Sequence, residues 1–185
     1  DSDELERHLH GAIAPEGVSA FVFNFVDLLT HGRSESAILY EVARDEIALR
    51  QLTLQWFQRS ALLGVLREAS RRKVSVLVTS DHGSIHCHTP ATVFAKRDAT
   101  ANLRYKFGED LRAERAEQAL LFPNEDLLRL PRRGLGANTL LAVSDGFFVY
   151  PTKLREYQSR YRGSFLHGGV TPEECILPVA LLTRK

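Results

Sequence analysis

The 185-residue chain contains no methionine, not even at position 1. A natural N-terminus ordinarily carries one, so a further N-terminal part of the domain is expected upstream of Asp1. Cysteine is nearly as scarce: Cys87 and Cys175 are the only two, and their spacing is not that of a zinc finger. Two cysteines exclude a disulfide framework, and a reducing cytoplasm is the default location. No apolar run approaches the roughly 20 residues that cross a bilayer, so no membrane partner is expected. The charged start, DSDELERHLHG, lacks the apolar core of a signal peptide. Internal repeats and low-complexity segments are absent as well. Net charge is only +1, which gives no strong steer towards DNA or membrane surfaces.

What is present suits one globular domain. The sequence is 44% hydrophobic and 25% charged, enough to bury a sizeable core. Its cations are mostly arginine and they bunch in the middle. Arg97, Arg104, Lys106, Arg112 and Arg115 form one group; Arg129, Arg132 and Arg133 form another. Such groups meet a phosphate-bearing ligand if they share a face, and are a solvated surface if they do not.

Residues 18–26 (VSAFVFNFV) form a nearly continuous apolar run rich in β-branched and aromatic side chains. A run of that kind predicts a buried strand inside a parallel sheet. Residues 35–72 contain no proline and read as two helices with a break near 50–53, with Trp56, Leu63 and Leu66 facing the core. Residues 74–78 (VSVLV) predict a second strand. Strand, helices, strand is the order of an α/β fold with a mostly parallel sheet flanked by helices. From 84 to 131 the pattern is a small, irregular β insertion, with a strand over 91–97 and a short helix over 124–130. Residues 138–144 and 147–150 predict a hairpin closed at Asp145-Gly146. Thr171-Pro172-Glu173-Glu174 is a helix start, with Thr as N-cap, Pro at N1 and Glu at N3. A final strand is expected over 176–182. The whole of 1–185 is read as one partial domain.

Three polar knots sit where such a fold binds ligands, near the carboxyl ends of strands. Asp27 and His31 follow the first apolar run, and residues four apart share a helical face. Asp81 and His82 follow the second strand, and His167 lies in Leu166-His167-Gly168-Gly169-Val170. Carboxylate and imidazole together suit zinc, and manganese also. Taken singly, each knot has an ordinary alternative: a surface pair, a hydrogen-bonded turn, or a contact at a helix start. His86-Cys87-His88 resembles a metal clip, but as a strand it puts both imidazoles on one face and the thiol on the other.

In this order the motifs resemble the metal-ligand pattern of the alkaline phosphatase superfamily. They are most similar to its PglZ domain, in the form fused to two-component response regulators (the PorX type). The matching stretches are Asn24-Phe25-Val26-Asp27-Leu28-Leu29-Thr30-His31, Thr79-Ser80-Asp81-His82-Gly83-Ser84, residues 102–108 (NLRYKFG), Phe148-Val149-Tyr150-Pro151 and residues 165–174 (FLHGGVTPEE). The resemblance implies an alkaline-phosphatase-like fold holding two zinc ions per complete site. Asp27, His31 and His167 would hold one ion; Asp81 and His82 would help to hold the second. It places the nucleophile and one further Asp upstream of this chain, so no catalytic nucleophile is expected within it and the chain alone should be inactive. The implied substrate is a phosphodiester of a nucleotide or oligonucleotide, with Arg97, Asn102, Arg104 and Lys106 as candidates for its phosphates; a solvent-exposed basic strand is the competing account of those four. Implied partners are a receiver domain in the same gene and a sigma factor or other regulator, with a homodimer also allowed. Two rival functions stand beside this one. One is a metal-stabilised interaction module without catalysis. The other is a sulfatase or phosphomutase of the same superfamily.

Overall fold

The computed structural model describes residues 11–13, 16–34, 36–96, 99–123 and 136–183. From residue 25 to the first described strand there are four helices: α1 (Phe25–Arg33), α2 (Ala37–Val42), α3 (Glu46–Phe57) and α4 (Ala61–Arg72). Their starts follow from capping chemistry. Ser36, Asp45 and Ser60 each accept a backbone N–H from three residues on, which satisfies a donor the helix itself cannot. These caps also correct the expected break near 50–53. Helix α3 runs straight through it, because Arg50 pairs with Glu46 and the Thr53 hydroxyl donates to the Leu49 carbonyl. The breaks fall before Asp45 and Ser60 instead.

The apolar run at 18–26 is not a buried strand. Residues 18–24 have no regular structure, Val18 and Val22 are 95% and 85% exposed, and α1 begins at Phe25. A strand needs a partner for its ladder, and no described strand pairs with this run. Phe25 instead stacks flat on Trp56 with ring centroids 4.4 Å apart, tying α1 to α3.

The strands lie in small sheets that are mostly antiparallel. The strand β1 (Val76–Val78) pairs with β10 (Ala180–Leu182), and β2 (Ile85–Cys87) pairs with β9 (Ser164–Leu166). A three-stranded sheet has β4 (Tyr105–Glu109) and β6 (Ala119–Phe122) on either side of β7 (Ala137–Ala142). Another sets β5 (Arg112–Ala113) and β8 (Gly146–Val149) on either side of β3 (Thr89–Phe94). Only β3–β8 is parallel, so the fold is mixed α/β and the expectation of a mostly parallel sheet is corrected. The physical reason is the connections. Parallel neighbours in such a fold are joined strand to strand by crossover helices, and here α1–α4 all precede β1, so they connect no two of the described strands.

Strands β7 and β8 form where the hairpin was expected and turn at Asp145-Gly146, but they do not pair with each other. Alternate residues of β8 enter two different cores. Phe148 joins Ala91, Val93 and Leu140, whereas Phe147 and Val149 join Cys87. Helix α5 (Leu154–Tyr161) covers the second of these through Tyr157 and Tyr161. The short helix α6 (Pro172–Cys175) starts at the expected Thr-Pro-Glu-Glu, with the Thr171 N–H donating to the Glu174 carboxylate at 3.1 Å. The helix expected over 124–130 lies outside the described residues. Among the described residues no helix is long and apolar enough to cross a membrane.

Candidate metal centre

Helix α1 places Asp27 and His31 one turn apart, with His31 Nε2 3.3 Å from Asp27 Oδ1. His167 follows β9 directly and brings its Nε2 to 3.1 Å from His31 Nε2 and 3.9 Å from Asp27 Oδ1. His82, in the turn after β1, brings its Nε2 to 4.0 Å from the same oxygen. The His82 ring lies flat on the His167 ring, with centroids 3.8 Å apart. Three histidines from three separate segments therefore close on one carboxylate oxygen.

Two features tune these imidazoles for ligation. His82 Nδ1 lies 3.1 Å from the Gly83 carbonyl, which can only accept. In the neutral ring this contact favours the tautomer with the proton on Nδ1, which leaves the Nε2 lone pair facing the cluster. Burial, followed by the neighbouring His82 and His31 rings, lowers the pKa of His167 and favours its neutral, metal-binding form.

The donor set fits a metal ion. Asp27, His82 and His167 each offer a ligand atom within 4.8 Å of the others. Asp27 Oδ1 is buried and has no hydrogen-bond partner, although the side chain as a whole is 46% exposed; three imidazole nitrogens lie 3.3–4.0 Å from it and offset its charge only when protonated. A cation at this point supplies what the side chains alone lack. Carboxylate with imidazole is a zinc-type combination.

Asp81 stands at the rim. Its side chain is 89% exposed, its Oδ1 accepts the His82 N–H at 3.1 Å, and its Oδ2 is 3.9 Å from His82 Nε2. The structure thus groups His82 with Asp27 and His167, where the sequence reading had paired it with Asp81.

The proposed phosphate contacts fare differently. Arg97 lies outside the described residues. Asn102 caps its own loop, its Oδ1 accepting the N–H groups of Arg104 and Tyr105 at 2.7 and 3.2 Å. Arg104 and Lys106 are both 0% exposed, so the substrate role read for them is corrected. Arg104 precedes β4 by one residue and continues its ladder, its carbonyl accepting the Ala142 N–H, and Lys106 is the second residue of the strand; side chains two apart share one face, and here that face is the interior one. Arg104 makes a two-pronged ion pair with Glu174, at 2.9 and 2.8 Å, and also donates to the Gly146 carbonyl. Lys106 donates to the Thr100 carbonyl at 2.6 Å and lies 4.9 Å from the centre of the Tyr150 ring.

Burial lowers the Lys106 pKa to about 8. The unfolded chain therefore binds more protons between about pH 8 and pH 10.5, and stability should rise with pH across that window. Lys106→Met is expected to be neutral or stabilising at pH 7, by up to about 2 kcal/mol. It should also abolish the alkaline rise. Urea denaturation at pH 7 and pH 10 checks both; a variant clearly less stable than wild type at pH 7 would refute the expectation.

His86-Cys87-His88 leaves the Asp-His turn as a strand, as read. His86 Nδ1 and His88 Nε2 lie 3.2 Å apart on one side, while Cys87 is fully buried on the other. Burial pushes the Cys87 thiol up to about 12, which makes it an inert core residue. Sequence reasoning missed two residues that shape the site. Arg33 is buried beneath the Tyr40 and Phe165 rings and donates to the Gly163 carbonyl, which fastens α1 to the start of β9. Nothing in its surroundings in the sequence signals this. Glu174 was legible as a cap but not as the partner of Arg104.

The sequence matches the BREX system PglZ alkaline phosphatase-like domain over residues 3–182. No curated protein matches it. The family match covers nearly the full chain and includes every segment of the histidine cluster. It carries the expectation of a phosphoesterase-type hydrolase and of metal ions. The chain belongs to the PglZ family of alkaline phosphatase-like domains.

Proposed function

We propose that Asp27, His31, His82 and His167 hold a divalent ion, zinc by preference and manganese as the alternative, and that the protein hydrolyses phosphodiesters of nucleotides or oligonucleotides. The observation that carries this reading is the buried, hydrogen-bond-free Oδ1 of Asp27 with three imidazole nitrogens within 4.0 Å of it. When bound, the ion would supply Lewis-acid neutralisation of phosphoryl charge. Asp27 fixes where the positive charge can sit. The Gly83 carbonyl, in contact with Nδ1, orients the His82 ring with Nε2 towards the cluster. Asp81, exposed beside His82, offers a carboxylate to a second ion whose other ligands, with the nucleophile, would come from an upstream segment. In this reading the domain serves as the output of a response regulator in the cytoplasm.

The reading is tested on the intact gene product, loaded with zinc or manganese, by hydrolysis of bis(p-nitrophenyl) phosphate and of a short oligonucleotide. Metal-dependent turnover that Asp27→Asn abolishes is the expected result. A second reading, a metal-stabilised interaction module, draws on the exposed apolar side chains of Val18, Val22, Leu77, Val179 and Leu181. Metal binding with no turnover of any phosphate ester would favour that module and refute the hydrolase.

A further inference from the structure

Three loops bring histidines or their supports to the cluster, and one buried residue touches them all. The Glu174 carboxylate accepts the Gly169 N–H at 2.8 Å and the Thr171 N–H and hydroxyl at 3.1 and 2.9 Å. That seats the Gly168-Gly169 turn directly after His167. The Glu174 backbone carbonyl accepts the Gly83 N–H at 2.9 Å, directly after His82. Arg104 fills the remaining side of the carboxylate and carries the third loop with it. In that loop, Asn102 reaches towards the His167 carbonyl at 3.5 Å.

The fit at these points is close. A Cβ on Gly169 would fall 2.6 Å from Glu174 Oε2 and 2.8 Å from Arg104 Nη2. One on Gly83 would fall 2.0 Å from the Glu173 carbonyl oxygen. Gly168 has φ +103, a backbone conformation that side-chain-bearing residues rarely adopt, and packs against Asn102 and Tyr105. Glycine at 83, 168 and 169 is thus what lets both histidine loops close on the Arg104–Glu174 pair.

We infer that the Arg104–Glu174 pair is a positioning device for the metal centre, setting His82 and His167 in register with Asp27 and His31. The inference rests on the metal reading above. It assigns a role to residues that touch neither the ion nor the substrate: the pair holds two loops whose ring-to-ring stacking at 3.8 Å would otherwise be free to open. Outer-sphere groups that fix ligand orientation are typically worth ten- to hundredfold in metal affinity.

The test is titration of the purified chain with Co²⁺, followed by the visible ligand-field spectrum, at a temperature where every variant is folded by circular dichroism. Glu174→Gln keeps the side-chain shape and removes the charge; Gly83→Ala disturbs the same junction from the backbone side and guards against a Glu174 variant that fails to fold. Leu111→Ala, buried in the same core as Val93 and Leu140 but beyond the far end of β4 from Arg104, controls for destabilisation alone. The expected result is an affinity loss of about ten- to hundredfold with an altered spectrum for Glu174→Gln and Gly83→Ala, and unchanged affinity for Leu111→Ala. Wild-type affinity and spectrum in both site variants would overturn the inference while leaving the metal centre intact. No Co²⁺ binding by the wild type would overturn the metal reading itself, and this inference with it.

Discussion

Arg104→Ala is expected to remove about 3–5 kcal/mol of folding stability, a large fraction of what a domain of this size has. The guanidinium has no solvent contact and spends its donors on two Glu174 oxygens and the Gly146 carbonyl. Truncation leaves a carboxylate charge in the interior with only neutral donors around it, and that uncompensated charge dominates the cost. Removing both partners, as Arg104→Met with Glu174→Leu, should restore much of the loss, because no charge is then stranded.

The pH dependence has a definite sign. Burial pushes the Glu174 pKa up, but the Arg104 pair and the N–H groups of Gly169 and Thr171 outweigh it and hold the pKa below the usual glutamate value. A depressed acid stabilises the fold above its unfolded pKa, and that contribution is lost as pH falls through the folded value. Without Arg104 the strongest lowering influence is gone and burial prevails, so the variant should gain stability as pH falls through its raised pKa, while the wild type loses its contribution only below the ordinary glutamate value of 4.5. The gap between the two should narrow from pH 7 towards pH 4. Urea melts across that range measure it. A gap under 1 kcal/mol at pH 7 would mean the pair contributes no more than a surface ion pair.

The distinction between Arg104 as a phosphate contact and Arg104 as a buried anchor shows what the sequence could and could not tell. Asp27, His31, His82 and His167, which the structure brings together, were legible only in combination: each knot alone had an ordinary alternative, and their order and the family resemblance singled them out. Arg104 and Lys106 were misread because alternation in a strand gives two faces without saying which one is covered. That depends on β7, more than thirty residues later. The hairpin failed for the same reason. Asp145-Gly146 does turn the chain, but β8 finds β3 and β7 finds β4, and no local signal encodes such distant pairings. The apolar run at 18–26 shows the limit most plainly, since its composition suits a strand while only a partner strand can make it one.

Asp27→Asn is expected to lower zinc affinity by at least about a hundredfold, more than the loss of any one histidine, since even outer-sphere changes reach that figure. The ranking follows from geometry. Oδ1 of Asp27 is the one atom that His31, His82 and His167 all approach, and it brings the only negative charge to the centre of the group. His167→Ala and His82→Ala each leave three donors and should bind more weakly than wild type but measurably. Asp81→Asn, at the exposed rim, should change the affinity for a first ion little, and Cys87→Ala not at all. Isothermal titration with zinc, with metal content by mass spectrometry, gives the series. Thermodynamic linkage supplies an independent check: zinc at 100 times its dissociation constant should stabilise the wild type by about 2.7 kcal/mol and Asp27→Asn hardly at all. Without metal the order should reverse, because the amide removes the carboxylate charge, which no hydrogen bond to Oδ1 compensates. A residue kept for the fold would lose stability on substitution whether or not zinc is present. An Asp27→Asn variant less stable than wild type in the presence of a chelator would therefore assign Asp27 to the scaffold, and equal zinc binding by the two proteins would remove it from the metal centre.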